Sequence, residues 1–180
     1  MNKLYFVRHG QTIWNVENKI CGATDIALTD LGMEQARKTG EEILKLGIHA
    51  DEILYSPLVR AKNTALCISE ITGIPAREEL RLKEQNFGKY ESTPRNGEEF
   101  KLAKTHFIDS YCGGETMLKL THRIYGLLDD LKKASKDKTF ILVAHNGIAR
   151  AINSYFYDMT NEEYAAFGVK NCEIITYTFE

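Results

Sequence analysis

Four apolar residues, Leu4–Val7, run without a break into Arg8-His9-Gly10, and much later Thr139–Ala144 runs in the same way into His145-Asn146-Gly147. Short continuous apolar runs rich in branched and aromatic side chains predict strands buried on both faces, as in a parallel sheet. Ligands of open α/β sheets bind beyond the carboxyl ends of such strands. Both runs therefore deliver a histidine to the place where chemistry happens. If the two strands are parallel neighbours, the two imidazoles meet on one edge of the sheet. Gly10 is expected to allow a sharp turn and a close approach of backbone to ligand.

Between these runs the pattern alternates. Gln11–Ile20 predicts a short helix capped by Thr12, with Asn15 in its first turn. Cys21–Leu28 reads as a loop. Thr29–Leu46 predicts a helix with Met33, Ala36, Ile43 and Leu44 at helical spacing and Gly47 closing it. Asp51–Tyr55 is a second strand. Ser56 as cap and Pro57 at the first position open a helix that runs to Gly73. Pro75–Leu80 reads as an edge strand, Gly114–Ala134 as the longest helix, and Ile148–Phe156 as the helix after the second buried strand. Thr160 with Glu163 forms a capping-box pattern, and Cys172–Phe179 alternates as a closing strand. The expected class is α/β, a three-layer sandwich with a mostly parallel central sheet and helices on both faces. One domain spanning 1–180 is expected. A weakly periodic, lid-like insertion covers about residues 90–113 and carries Lys101 and Lys104, since long irregular segments often carry function.

The 180 residues, 43% hydrophobic and 27% charged, suit a soluble domain with its own core. A net charge of −2 gives no general affinity for nucleic acid or anionic membrane. Cys21, Cys67, Cys112 and Cys172 form no Cys-x-x-Cys pair and read as reduced thiols in a cytoplasmic protein. The apolar run before Arg8 is too short for a signal peptide or a membrane span. No Gly-x-x-x-x-Gly-Lys loop is present, which argues against a P-loop. The usual signatures of cysteine- and aspartate-nucleophile phosphatases are missing too.

Three further residues stay open on the sequence alone. Asn15 suits an anion-facing helix start or a plain capping role. Arg60, one turn into its helix, gains nothing from the helix dipole. It is explained equally by an anion at the strand-to-helix junction or by a nearby surface carboxylate. Glu84 sits amid charges in Arg81-Leu82-Lys83-Glu84 and reads as a solvated acid. Two histidines with Arg8 and Arg60 suit a dianion such as a phosphoryl group. No carboxylate or cysteine lies at a metal-ligand spacing from either histidine.

The string Arg8-His9-Gly10-Gln11-Thr12 followed by Asn15 resembles the signature of the histidine phosphatase superfamily, also called phosphoglycerate mutase-like. The likeness continues through Leu28-Thr29, Gly32, Gln35-Ala36, Ser56-Pro57-Leu58 with Arg60-Ala61, and Thr64-Ala65. It then takes in Glu84 with Phe87-Gly88, Gly114-Glu115-Thr116 and Val143-Ala144-His145, covering nearly the whole chain. The resemblance implies a covalent phosphohistidine on His9, with Glu84 protonating the leaving alcohol and later activating water. It implies that Arg8, Asn15, Arg60 and His145 hold the phosphoryl group and that His145 serves catalysis. No cofactor and no metal are implied. The partner would be a small phosphomonoester of the sugar phosphate, α-ribazole phosphate or phosphoglycerate type, handled by a monomer or small homo-oligomer.

Asn146 stands where the family usually has glycine, Asn63 replaces a common glutamine, and Ser92 a common glycine. The mutases of the family follow their glutamate with an arginine that binds a substrate carboxylate. Here Glu84 is followed by Gln85 and Asn86. A phosphatase is therefore expected. The alternatives are a phosphoglycerate mutase and, from another class, a non-catalytic phosphate-binding protein.

Overall fold

The computed structural model describes residues 2–180. A five-stranded sheet takes the order β3-β2-β4-β1-β5, formed by β1 (Asn2–Arg8), β2 (Glu52–Tyr55), β3 (Ala76–Glu78), β4 (Phe140–Ala144) and β5 (Ile174–Phe179). All pairings are parallel except β1 with β5. Successive side chains of a strand point to opposite faces, and here both faces are covered. Leu4, Phe6, Leu54, Leu142 and Ala144 pack under α5 (Met117–Ala134) and α6 (Asn146–Phe156). Tyr5, Val7, Ile53, Ile141 and Val143 pack on the other side against Ile43 of α2 (Asp30–Lys45) and Ala61, Ala65 and Ile68 of α3 (Val59–Thr72). This is the expected three-layer α/β sandwich. Short helices α1 (Ile13–Val16), α4 (Glu98–Ala103) and α7 (Asn161–Ala166) complete it. Both expected caps with reciprocal bonds are present, Thr12 with Asn15 and Thr160 with Glu163.

Several local expectations are corrected. Met33 and Leu44 do not belong to the core; they are 41% and 54% exposed. The buried stripe of α2 is Gly32, Ala36, Thr39, Gly40 and Ile43. Small side chains win that face because α2 lies close on α3, where a Cβ at Gly40 would stand 3.0 Å from Ile71. Ser56 does not cap α3, which begins at Val59 without a side-chain bond from its own cap, Leu58. Asp25 instead reaches across and accepts from the Val59 amide at 2.8 Å. The edge strand is shorter than expected, Ala76–Glu78, and a 3-10 turn occupies Leu80–Leu82. Gly114 and Glu115 precede α5, whose cap is Thr116. Glu115 pairs bidentately with Arg123 at 2.8 Å.

The segment after Glu84 has its own apolar cluster, in which Tyr90, Phe100 and Tyr111 join Ile20, Phe87 and Ala103. Phe107 packs edge-on against Tyr164. The four cysteines are unpaired. No helix among the described residues is long and apolar enough to cross a membrane.

Gly10 owes its identity to packing. A Cβ there would meet Gly32 O at 2.3 Å, and one on Gly32 would meet Gln11 O at 2.2 Å. The turn after β1 and the start of α2 are thus in backbone-to-backbone contact. Gly32→Ala should destabilise the protein by about 1–3 kcal/mol, because backbone has to move. Gly126→Ala, exposed in mid-helix with nothing within 4 Å of the added Cβ, should stabilise it by about 0.5–1 kcal/mol. Urea denaturation of the two variants against wild type checks both signs.

Candidate functional site

The β1–β4 register pairs Arg8 with Ala144, and one rung further His9 N–H donates to Ala144 O at 2.9 Å. His9 and His145 therefore leave the sheet side by side, with ring centroids 5.1 Å apart. Two side chains pin this turn: Gly10 N–H donates to Thr64 Oγ1 at 3.0 Å, and Asn171 Nδ2 donates to His9 O at 2.8 Å.

His9 Nδ1 lies 2.7 Å from Gly10 O. A carbonyl only accepts, so the proton is on Nδ1 and Nε2 keeps a bare lone pair. Burial, then the neighbouring Arg60 and Arg8, hold the His9 pKa well below its usual value. His145 is buried and shifted the same way, again by burial first and Arg60 next. Its Nε2 lies 2.6 Å from Ser56 Oγ, and its Nδ1 is buried without a partner. Ser56 Oγ also accepts from Leu58 N–H at 3.4 Å. A hydroxyl that accepts from the backbone is free to give its own proton to Nε2, which leaves Nδ1–H of His145 as an unused donor.

Arg60 is fully buried and donates to Gly22 O at 2.7 Å and Thr24 O at 2.8 Å. The surface-carboxylate explanation is thereby removed. Arg8 donates through Nη1 to Val169 O at 2.5 Å, its Nε is buried without a partner, and burial with Arg95 pushes its pKa down to about 10. Asn15 does act as a capping residue: its Oδ1 accepts from Thr12 N–H at 3.0 Å and from Asn171 Nδ2 at 3.3 Å. Its amide nitrogen is left for a ligand.

Glu84 is not a solvated acid; it is 5% exposed. Its oxygens accept from Gln85 N–H at 2.8 Å and Gly147 N–H at 2.9 Å. Burial outweighs these bonds and the nearby Arg60 and Arg150, so its pKa is raised. Gly147 is glycine because a Cβ would stand 2.5 Å from Glu84 Oε1.

One cavity collects Arg8, His9, Asn15 and Glu84. Arg60 and His145 are not on its wall; both are fully buried next to His9, and Arg60 helps to hold the His9 pKa down. The same wall carries Arg95, Lys104, Asn146 and Arg150, of which Lys104 drew notice as a basic residue of the insertion and Asn146 as a departure from the family's glycine. Arg150 could have been found as the basic residue five positions after His145, on a helix starting at the site. Arg95 had no signal, since no periodicity places it. Asn146, at the position expected to hold glycine, accepts from Val169 N–H through Oδ1 at 2.8 Å and so ties a neighbouring loop to the site. Cys21 also lines the cavity, but burial pushes its thiol up to about 11 and makes it a poor nucleophile.

A family model described as "Histidine phosphatase superfamily (branch 1)" matches residues 4–180. The chain is 36% identical over 152 residues to an uncharacterised phosphatase, PhoE, of Bacillus subtilis (strain 168), a match covering 84% of this chain and 76% of the relative. It is 27% identical over 181 residues to a probable phosphoglycerate mutase, GpmB, of Yersinia pestis (strain Pestoides F), covering 97% and 83%. A solved structure of phosphoserine phosphatase from Entamoeba histolytica, in complex with 3-phosphoglyceric acid, superposes with a TM-score of 0.83. That match has 30% identity over 99% of this chain and 91% of the other.

The His9 environment has a direct spectroscopic consequence. Nitrogen-15 shifts of His9 should show the neutral Nδ1–H form at pH 7, with protonation only well below pH 6.5. A pH titration of the labelled protein checks both tautomer and direction.

Proposed function

The chain belongs to the histidine phosphatase superfamily, and we propose that it is a phosphomonoesterase working through a phosphohistidine on His9. The observation that carries this reading is the pairing of a buried, neutral His9, its Nε2 bare, with a Glu84 whose burial favours the protonated form. One group is prepared as a nucleophile and the other as an acid in the same cavity.

His9 Nε2 attacks phosphorus as the bond to the ester oxygen breaks. Glu84 gives its proton to the departing alkoxide and becomes a carboxylate. That carboxylate takes a proton from the water that attacks phosphorus in the second step. The P–N bond breaks, and phosphate and neutral His9 are regenerated. Arg8 and Asn15 Nδ2 on the cavity wall, with Nδ1–H of His145 and the remaining N–H groups of Arg60 buried next to His9, are the donors for the phosphoryl oxygens once the phosphoryl group sits on His9. His145 also belongs to the catalytic set, because charge grows on those oxygens in the transition state. The segment 90–113, which brings Arg95, Phe100 and Lys104 to the cavity wall, is the natural cover for this site within a single unit. Its substrate is a small phosphorylated metabolite of the sugar phosphate, α-ribazole phosphate or phosphoglycerate type. The four free thiols suit the reducing cytoplasm.

Gln85 supports hydrolysis over phosphoryl shuttling: it is neutral, and its Nε2 donates to Glu115 O at 3.0 Å, turned away from any substrate carboxylate.

Glu84→Gln should slow an alkyl phosphate at least about 100-fold in the first step. p-Nitrophenyl phosphate, whose phenolate leaves unaided, should lose much less. Acid-quenched samples of the variant should accumulate phosphate on His9. In wild type the rate with the alkyl ester should fall on the acid side as His9 protonates, below its usual value, and on the alkaline side as Glu84 loses its proton, above its usual value. Equal losses for both esters in rapid-mixing experiments would remove Glu84 from the acid role.

Guanidinium groups already supply the positive charge that a metal provides elsewhere. Turnover should therefore persist in EDTA and gain nothing from added Mg²⁺ or Zn²⁺, as an assay after exhaustive chelation checks.

A further inference from the structure

Arg60 is a fully buried guanidinium, and among the described residues no ion pair includes it. Two backbone carbonyls, Gly22 O and Thr24 O, fix its orientation instead. Its Nε is buried without a partner. The two carbonyls belong to residues 21–25, which lie in no helix or strand. A buried cation aimed by an irregular loop is only as well placed as that loop.

One side chain holds the loop. Glu91 Oε1 accepts from Ala23 N–H and Phe87 N–H, each at 3.0 Å. Glu91 Oε2 accepts from Gly22 N–H at 3.1 Å, Thr24 Oγ1 at 2.8 Å and Thr24 N–H at 3.4 Å. Glu91, like Arg60, is in no ion pair among the described residues. The two sets of bonds share a peptide unit. Gly22 O and Ala23 N–H belong to one amide, with Arg60 Nη2 at 2.7 Å from its oxygen and Glu91 Oε1 at 3.0 Å from its nitrogen. An amide held between a guanidinium and a carboxylate is polarised from both ends, so each bond strengthens the other. Thr24 repeats the arrangement, its N–H and hydroxyl on Glu91 and its carbonyl on Arg60. The charge of Glu91 thus reaches Arg60 through backbone. Packing keeps the loop in place: a Cβ on Gly22 would collide with Glu91 Oε1 and Gln85 O. Ser92 N–H donates to Ile20 O and Ile20 N–H to Thr93 O, each at 2.9 Å, binding the entry of the loop to the same segment.

We propose that Glu91 is a positioning residue for Arg60. It sets the two carbonyls that orient the guanidinium, so that the free N–H groups of Arg60 face the phosphoryl oxygens. Glu91 is not on the cavity wall and acts only through the loop. This role rests on the phosphatase reading above and on the part given there to Arg60.

The test is a double-mutant cycle on kcat with p-nitrophenyl phosphate, built from Glu91→Ala, Arg60→Met and the two together, each rate expressed per folded protein. Arg60→Met should cost about 100-fold. Glu91→Ala alone should cost about tenfold or more. Added to Arg60→Met it should cost less than about twofold, because the group it acts through is gone. A purely structural role costs the same in both backgrounds. Glu91 also holds Phe87 N–H, near Glu84 in sequence, so Glu91→Ala is assayed on an alkyl ester too. A loss through Arg60 is equal for the two esters, whereas a loss through Glu84 falls on the alkyl ester. A second measurement needs no turnover. Held by two carbonyls, the Nη groups of Arg60 should give separate nitrogen-15 signals in the wild type. These should merge in Glu91→Ala, or in Glu91→Gln, which keeps the volume, should the alanine variant not fold. A Glu91→Ala rate equal to wild type, equal losses in both backgrounds, a loss confined to the alkyl ester, or Arg60 signals that neither variant alters overturn the positioning role and leave the phosphatase reading standing. An Arg60→Met variant as fast as wild type overturns the part given to Arg60, and no turnover of either ester by the wild type overturns the phosphatase reading; the proposal falls with each.

Discussion

The bond from His9 N–H to Ala144 O adds one rung to the β1–β4 ladder beyond the last paired strand residues. Everything chemical in this molecule depends on that rung. It sets the separation of the two imidazoles, while the β2–β4 ladder, extended by Ser56 N–H to Val143 O, brings Ser56 into contact with His145. It also places Gly147 and the start of α6 where they meet Glu84. A slip of one residue between β1 and β4 would send one of the two histidines to the opposite face of the sheet from the other. The buried apolar side chains on both sides of β1 and β4 forbid that slip, so the core is what keeps the site in register.

Burial then sets the protonation states. Removing charge from water raises the pKa of an acid and lowers that of a base. The same desolvation leaves Glu84 inclined to keep its proton and His9 inclined to have none. Arg60 and Arg8 strengthen the effect on His9, while for Glu84 nearby Arg60 and Arg150 oppose it without prevailing. No strong pairwise contact between acid and base is needed. The shape of the core does the tuning.

The strands, their parallel order around the two histidines and the three-layer class were legible because apolar runs record burial directly. Arg8 and His9 could be placed by their position after β1, and His145 by the matching run. The resemblance to a known family was needed to raise Glu84, because a buried acid and a solvated one look alike in Arg81-Leu82-Lys83-Glu84. Ser56 was misread because a serine before proline is a good cap in general; here its hydroxyl is taken by His145. Met33 and Leu44 were misread because helical spacing does not tell an apolar side chain from a glycine as the buried face, and α2 buries its glycines. Arg95 was invisible, since only the tertiary course of an irregular segment brings it to the cavity.

β1 is the first strand of the chain, yet its two neighbours in the sheet, β4 and β5, are the last two. On a ribosome it emerges early and waits, with Leu4, Tyr5, Phe6 and Val7 unpaired, until residues 140–179 have been made. Contacts this distant in sequence are slow to form because a long loop has to close first. During that wait a nascent chain exposes a short hydrophobic strand with two open edges, the kind of segment that chaperones hold and that aggregates without them. Any chain terminated before β4 has no second histidine and no partner for the first, so synthesis has to pass β4 before a site exists at all.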